Sequence, residues 1–276
     1  MRVLVTGATG FIGGAVVREL LDAGHQVVGL ARSEKAGKRL TAFGAQVQVG
    51  SIEDLAGLRK VAAAVDGVIH LAFFHKFSHA GLPTRLRVLF GGNPRHVVMR
   101  FMKAAIETDT RAIETLGTAL PAGDRAFVVA MPTMTLTPGR LGTEDSAGDP
   151  QSPGGLRIIS EHTTLDLANR GVRPSIVRLP PIVHGEGDKT GLFPNLVNNA
   201  VSEEGIPFQE IATALGLHLN LPAQGIGVEE AGKHFGWLAP FTKTDNPASS
   251  VLTQKRLGWG PVHPTLLDDI RKGYYF

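Results

Sequence analysis

The chain contains no cysteine. Disulfides, thiolate metal ligands and thiol nucleophiles are excluded at once, and the composition fits a reducing compartment. Tyrosine is almost missing as well: the only two are Tyr274 and Tyr275, at the end of 276 residues. No apolar run approaches the roughly 18 residues that a membrane-spanning helix needs, and the N-terminal stretch reaches glycine and charge too soon for a secretory signal. A soluble, cytoplasmic protein without a membrane partner is expected. Acid is lacking locally: from His79 to Lys103 the chain carries Arg85, Arg87, Arg95, Arg100 and Lys103 and no Asp or Glu, within a formal net charge of +3. A basic stretch of this kind suits nucleic acid or a membrane surface, yet no recognised module or regular aromatic spacing accompanies it. It reads as a solvated or partly disordered insert, and no nucleic-acid partner is expected.

What is present is alternation. Residues 2–6 (RVLVT) make a short apolar run suited to a buried strand, and residues 11–23 carry apolar side chains at helical intervals up to Gly24. Further strands are predicted at 25–31, 45–50, 67–73, 125–131 and 173–181, with helices at 53–65, 103–120 and 156–170 between them. Strands alternating with helices predict an α/β fold: a doubly wound parallel (Rossmann) sheet covered on both faces. Beyond Pro180 the rhythm breaks into Gly- and Pro-rich pieces with helices near 207–217 and 227–235. The expected organisation is a dinucleotide-binding domain over 1–180 and a small, shortened substrate lobe over 181–276.

The stretch VTGATGFIGG places Gly7, Gly10 and Gly13 between the first strand and the first helix. That context gives a glycine pattern its meaning: one glycine permits the tight turn, another admits a pyrophosphate to the backbone, and the third allows close helix packing. No Lys-Ser or Lys-Thr pair follows, which excludes a P-loop. After the second strand stand Arg32 and Ser33. An acid there would hold the ribose 2'-hydroxyl of NAD, whereas Arg and Ser pair with the 2'-phosphate of NADP. NADP is therefore favoured over NAD.

With TGATGFIG at 6–13, HLAF at 70–73 and VRLPPIVHGEGD at 177–188, the chain resembles the extended or atypical short-chain dehydrogenase/reductases of the NAD-dependent epimerase/dehydratase type. The resemblance implies coenzyme contacts from Gly7, Thr9, Gly10, Phe11, Ile12 and Gly13, from Leu71, Ala72 and Phe73 after the fourth strand, and from Pro180 after the sixth. It also implies a homodimer paired through the helices at 103–120 and 156–170, and a Tyr-x-x-x-Lys pair aided by a Ser or Thr. Here the sequence departs, because no Tyr-x-x-x-Lys exists anywhere in it. Counting back without gaps from Arg178 through Gly171 and Glu161, the lysine position falls on Arg157 and the tyrosine position on Pro153. Arg157 can hold the nicotinamide ribose or lend positive charge but is no base. The hydroxyl position leaves Thr133 as its one candidate. Ser51 and Ile52 stand where an acid usually reaches the adenine.

Histidine is the remaining proton carrier at neutral pH. His70 lies on a buried strand and reads as core; His75 and His79 follow it, and His184 lies after the sixth strand. His184 joins Thr133 and Arg157 as a candidate catalytic residue, and no metal site is expected because the loop histidines lack an evident third ligand. Two departures concern length. Residues 81–101 interrupt what relatives of this type run as a short loop, and between Asn199 and Val201 the chain omits strands and helices of the substrate lobe. The function expected is NAD(P)-dependent oxidoreduction of a small or medium carbonyl or alcohol substrate. A catalytically silent NADP-binding regulator, or a non-redox isomerase, epimerase or dehydratase on the same fold, are the alternatives.

Overall fold

A computed structural model describes residues 1–180, 203–235 and 239–273. Six strands, β1 (Arg2–Thr6), β2 (Gln26–Ala31), β3 (Gln46–Val49), β4 (Gly67–His70), β5 (Arg125–Pro132) and β6 (Val172–Leu179), form one parallel sheet ordered β3-β2-β1-β4-β5-β6. Val3 lies opposite both Val27 and Gly67, and Gly67 opposite Ala126. The strand order reverses beside β1, and an open α/β sheet binds ligands outside the carboxyl ends of its strands at such a switch point. This is the doubly wound α/β fold that the alternation predicts.

The helices of this part are α1 (Phe11–Asp22), α2 (Glu34–Ala42), α3 (Leu55–Ala62), α4 (Leu82–Phe90), α5 (Val97–Ala119) and α6 (Ile158–Asp166). α2 starts where Ser33 Oγ accepts from Ala36 N at 3.2 Å, and α3 where Asp54 Oδ1 accepts from Gly57 N at 3.0 Å. Such caps satisfy amides that the helix itself leaves open. Two findings differ from the periodicity. α2 (EKAGKRLTA) is charged along most of its length and its buried face is only Gly37 and Leu40; a Cβ on Gly37 would stand 2.6 Å from Val47 Cγ1, so helix and β3 meet through a missing side chain. The basic insert is not a solvated coil but carries α4, with Pro83 in its first turn, Val88 buried and its length packed on α5. Glu53 fixes its start, accepting from Gly81 N and Thr84 Oγ1 at 2.6 Å each. Arg100 fixes its end, donating to Val88 O at 2.8 Å and Asn93 O at 2.7 Å.

The chain forms two compact units, Met1–Ala130 with Ile159–Val177, and Met131–Ile158 with Arg178–Phe276. The core of the first gathers Val3, Val5, Val17, Val27, Ala31 and Leu40 under α1 and α2. Each fully buried aliphatic side chain there contributes about 1.5–3 kcal/mol. The second contains α7 (Phe208–Leu219), α8 (Val228–Phe235), α9 (Ala239–Thr242), α10 (Val251–Leu257) and α11 (Leu266–Arg271). Its core packs Ile211 and Ala214 of α7 against Leu266 and Ile270 of α11. Among the described residues no helix is long and apolar enough to cross a membrane.

Candidate dinucleotide site

β1 ends at Thr6 and the chain reverses through Gly7 at φ +70, a backbone region that disfavours a side chain. A Cβ on Gly7 would lie 3.0 Å from Ala72 N and Leu71 C, so the turn is pressed against the segment following β4. Gly10 N–H closes the turn on Gly7 O at 2.9 Å. A Cβ on Gly13 would fall 2.1 Å from that same oxygen, which lets α1 begin directly against the loop only because Gly13 has none. α1 opens with no capping side chain and no acid in its first turn. The amides of Phe11, Ile12 and Gly13 belong to that turn, where helical bonding leaves N–H groups open and the dipole attracts an anion. Bare backbone and uncommitted donors fit a coenzyme diphosphate, with Thr9 and Gly10 exposed at the rim.

Beneath this cradle lies a polar chain that the sequence does not announce. Thr6 Oγ1 accepts from Leu71 N and Ala72 N, each at 3.2 Å, and stands 2.9 Å from His70 Nδ1. Leu71 N–H is shared between Thr6 Oγ1 and the ladder acceptor Thr6 O at 3.3 Å, and Ala72 N–H turns to the hydroxyl, so β4 stops at His70 and not at Phe73. A hydroxyl has two lone pairs and one proton. With both lone pairs taken, the Thr6 proton goes to His70 Nδ1, which fixes the Nε2–H tautomer. That hydrogen donates to Asp109 Oδ1 at 3.3 Å. His70 is 1% exposed and Asp109 0%. The expectation that His70 is core holds as to burial, but it is bonded at both nitrogens. Asp109 was missed; its only trace in the sequence is an acid in line with the apolar residues Ala105, Ala112 and Ile113 of α5.

At the outer end of the cradle, Gly50 N donates to Ala31 O at 2.9 Å, bringing the β3–α3 loop beside the end of β2. Arg32 and Ser33 follow β2, both exposed, and among the described residues Arg32 has no hydrogen bond or ion pair. Ser51 Oγ accepts from Glu53 N at 3.1 Å and keeps its own proton to donate, while Ile52 is buried. Phe73 packs edge-on to His75, with ring centroids 5.3 Å apart. The imidazole of His79 is held below the ordinary histidine range by burial, then by the charges of Arg32 and Lys76.

The proton-handling candidates lie in the second unit. Thr133 begins a 3-10 turn (Thr133–Thr135) and Arg157 ends another (Gly155–Arg157), and the two turns join where Gly154 N donates to Met134 O at 2.9 Å. Thr133 is buried, its carbonyl accepts from Asn246 Nδ2 at 3.2 Å, and its hydroxyl has no partner among the described residues. Pro153, at the tyrosine position, is exposed, but its neighbour Ser152 is buried and its hydroxyl also lacks a partner among the described residues. Sequence reasoning passed over Ser152, since an orphaned hydroxyl is visible only in three dimensions. Arg157 and Pro180 are half-buried. His184 and the junction near Ala200 lie outside the described residues. Among the described residues no group of His, Asp and Glu is arranged to hold a metal ion.

A strand-order switch beside β1, a glycine turn at its carboxyl end and an uncapped helix facing it define a Rossmann-type nucleotide-binding protein. The family model of the NAD-dependent epimerase/dehydratase family matches residues 3–212, and the chain belongs to that family. An uncharacterized protein of Schizosaccharomyces pombe is 39% identical over 321 aligned positions, covering 100% of both chains. An uncharacterized protein of Saccharomyces cerevisiae is 34% identical over 319, covering 99% of both. Alignments of this length against a chain of 276 residues contain positions that this chain leaves empty. Among solved structures, the UDP-glucose 4-epimerase of Thermotoga maritima with UDP-glucose has a TM-score of 0.59 at 17% identity, covering 99% of this chain and 97% of that one. MoeE5 in complex with UDP-glucuronic acid and NAD has a TM-score of 0.57 at 20% identity, covering 98% and 96%. These likenesses show the fold.

Proposed function

We propose that the protein is an NADP-dependent oxidoreductase of the extended short-chain type, acting on a small or medium carbonyl or alcohol substrate. The observation that carries this reading is Arg32: an exposed guanidinium at the end of β2, without a partner among the described residues, beside Ser33 at the start of α2, where NAD would call for an acid. The coenzyme supplies the hydride. Gly7, Gly10 and Gly13 with the amides of Phe11 and Ile12 hold its diphosphate, Ser51 and Ile52 border the adenine, and Leu71, Ala72 and Phe73 line the path towards the nicotinamide. Thr133 would donate a hydrogen bond to the substrate oxygen, water would supply the net proton, and Arg157 would lend positive charge. Without the usual tyrosine the rate is lower, since a positioned acid is worth about 10²–10⁴. The neighbours titled UDP-glucose 4-epimerase support a second reading, epimerisation or elimination with the coenzyme retained. The exposed Pro153 in the tyrosine's place favours a silent NADP-binding regulator as a third. We also infer a cytoplasmic homodimer paired through α5 and α6, helices already joined within one chain by Thr110 Oγ1 and Ser160 Oγ at 3.0 Å.

Arg32→Ala tests the coenzyme choice. Nicotinamide fluorescence titration should show NADPH weakened about 10- to 100-fold, as expected for loss of a charge-assisted contact, with NADH unchanged. An equal effect on both refutes the phosphate assignment. Thr133→Val tests the chemistry: single-turnover oxidation of bound NADPH by a panel of aldehydes and ketones should slow about 100-fold with coenzyme affinity intact. If the wild-type protein binds NADPH and no member of the panel consumes it, the reductase reading falls and the other two stand.

A further inference from the structure

We propose that the 2'-phosphate of the coenzyme is held from two sides, by Arg32 and Ser33 at the end of β2 and by Lys76 and His79 on the segment after β4. The proposal rests on the NADP reading above and adds to it a second cationic jaw, built by residues that the glycine motif and the β2 end do not include.

Three loops meet at this point. Gly50 N–H on Ala31 O places the β3–α3 loop against the end of β2, next to Arg32. Glu53 of that loop then reaches the segment after β4, its two carboxylate oxygens taking Gly81 N and Thr84 Oγ1. Phe77–His79 form a 3-10 turn immediately before Gly81, closed by His79 N–H on Lys76 O at 2.9 Å. Phe77 pins the turn to α5 through an edge-on contact with Phe101, centroids 5.8 Å apart. His79 is therefore fixed from both ends and half-buried, on a segment that Glu53 ties to the loop held by Gly50 against the end of β2.

The electrostatics of the cluster are one-sided. Arg32 and Lys76 act on the His79 ring, and neither has an ion pair among the described residues. Glu53 is the acid tied to this segment, and both its oxygens are already committed to the turn. Cations gathered without a counter-ion repel one another, so an entering phosphate gains from all of them at once. It also reverses the field on His79: burial, Arg32 and Lys76 disfavour the imidazolium, whereas a phosphate dianion favours it. NADPH binding should then draw a proton onto His79 near neutral pH, and NADH binding should not.

Isothermal titration of the full chain with NADPH and with NADH at pH 7, in buffers of different ionisation enthalpy, tests this. His79→Gln and Lys76→Gln should each weaken NADPH about ten-fold, the size of one charge-assisted hydrogen bond, and leave NADH within two-fold. The wild type should take up more protons with NADPH than with NADH, and His79→Gln should lose most of that excess. NADH lacks the 2'-phosphate, whose own proton, with a pKa near 6, adds to the NADPH signal in the wild type and in His79→Gln alike, so the histidine's share is the part of the excess that His79→Gln removes. Wild-type NADPH affinity in both variants, with native circular dichroism, overturns the proposal. If Arg32→Ala weakens NADPH selectively while Lys76 and His79 variants are silent, the second jaw falls and the NADP reading stands; if Arg32→Ala affects both coenzymes alike, the NADP reading itself has failed.

Discussion

Gly13→Ala should abolish binding of NADPH and NADH alike and lower stability by about 1–3 kcal/mol, the usual cost of forcing a methyl group into close packing. The added carbon would stand 2.1 Å from Gly7 O, 2.7 Å from Gly7 C and 2.8 Å from Ala8 Cα, all backbone atoms. No side chain can swing aside, so α1 must retreat from the loop and its first-turn amides leave the positions that face the diphosphate. Gly10→Val acts differently: its Cβ meets only Gly7 O at 3.1 Å, so the fold survives while the branched side chain occupies the anion's approach. Gly24→Ala is the control. Its φ of +77 makes it strained, but nothing lies within 4 Å, so a loss of about 1 kcal/mol with unchanged coenzyme affinity is expected. Coenzyme fluorescence and urea denaturation of the three variants check this, and a Gly13→Ala protein with native NADPH affinity would sink the whole assignment of the cradle.

Asp109→Leu should cost about 3 kcal/mol, because it leaves the buried Nε2–H of His70 without an acceptor in a site that water does not reach. Asp109→Asn keeps an oxygen at the same place and should cost less than half as much. The informative readout lies further along the chain of bonds. Freed at Nε2, the imidazole can move its hydrogen to Nδ1, and Thr6 must then accept from His70 and give up one of the amides of Leu71 and Ala72. Those two amides should exchange with deuterium faster in Asp109→Leu than in Asp109→Asn, and nitrogen NMR should report the Nε2–H tautomer only in the wild type and the Asn variant. Unchanged exchange at both amides would show that the histidine does not transmit position to them.

The glycine turn was legible because its information is mostly local: Gly7, Gly10 and Gly13 lie within seven residues, Gly10 and Gly13 answer to Gly7 O in the same turn, and Gly7 itself takes a positive φ. β1, β2 and β4 were legible because a buried parallel strand is a short apolar run, whereas β3 and β6 announce themselves by apolar residues alternating with polar ones. The Thr6–His70–Asp109 chain was not, since it joins residues 64 and 39 positions apart and an acid inside a helix has no local signature that tells burial from exposure. α2 hid because a glycine, and not an apolar side chain, makes its contact with β3. α4 hid because its cations suggested a solvated coil, whereas Arg87 pairs with Glu107 at 3.2 Å and Arg100 is spent on carbonyl groups. At Thr133 and Ser152 the residue types were in plain view, but the property that singles them out, a buried hydroxyl with no partner among the described residues, depends on everything folded around it.

Arg100 has one more consequence. By bonding the carbonyl groups of Val88 and Asn93 it satisfies the end of α4 from within the same hairpin of chain. Among the described residues, the other ties of this segment run to Glu53 and to α5, and not to β4 or β5. A change of length between Gly91 and Asn93 would therefore be absorbed where Arg100 gathers the carbonyl groups, without shifting the pairing of β4 with β5.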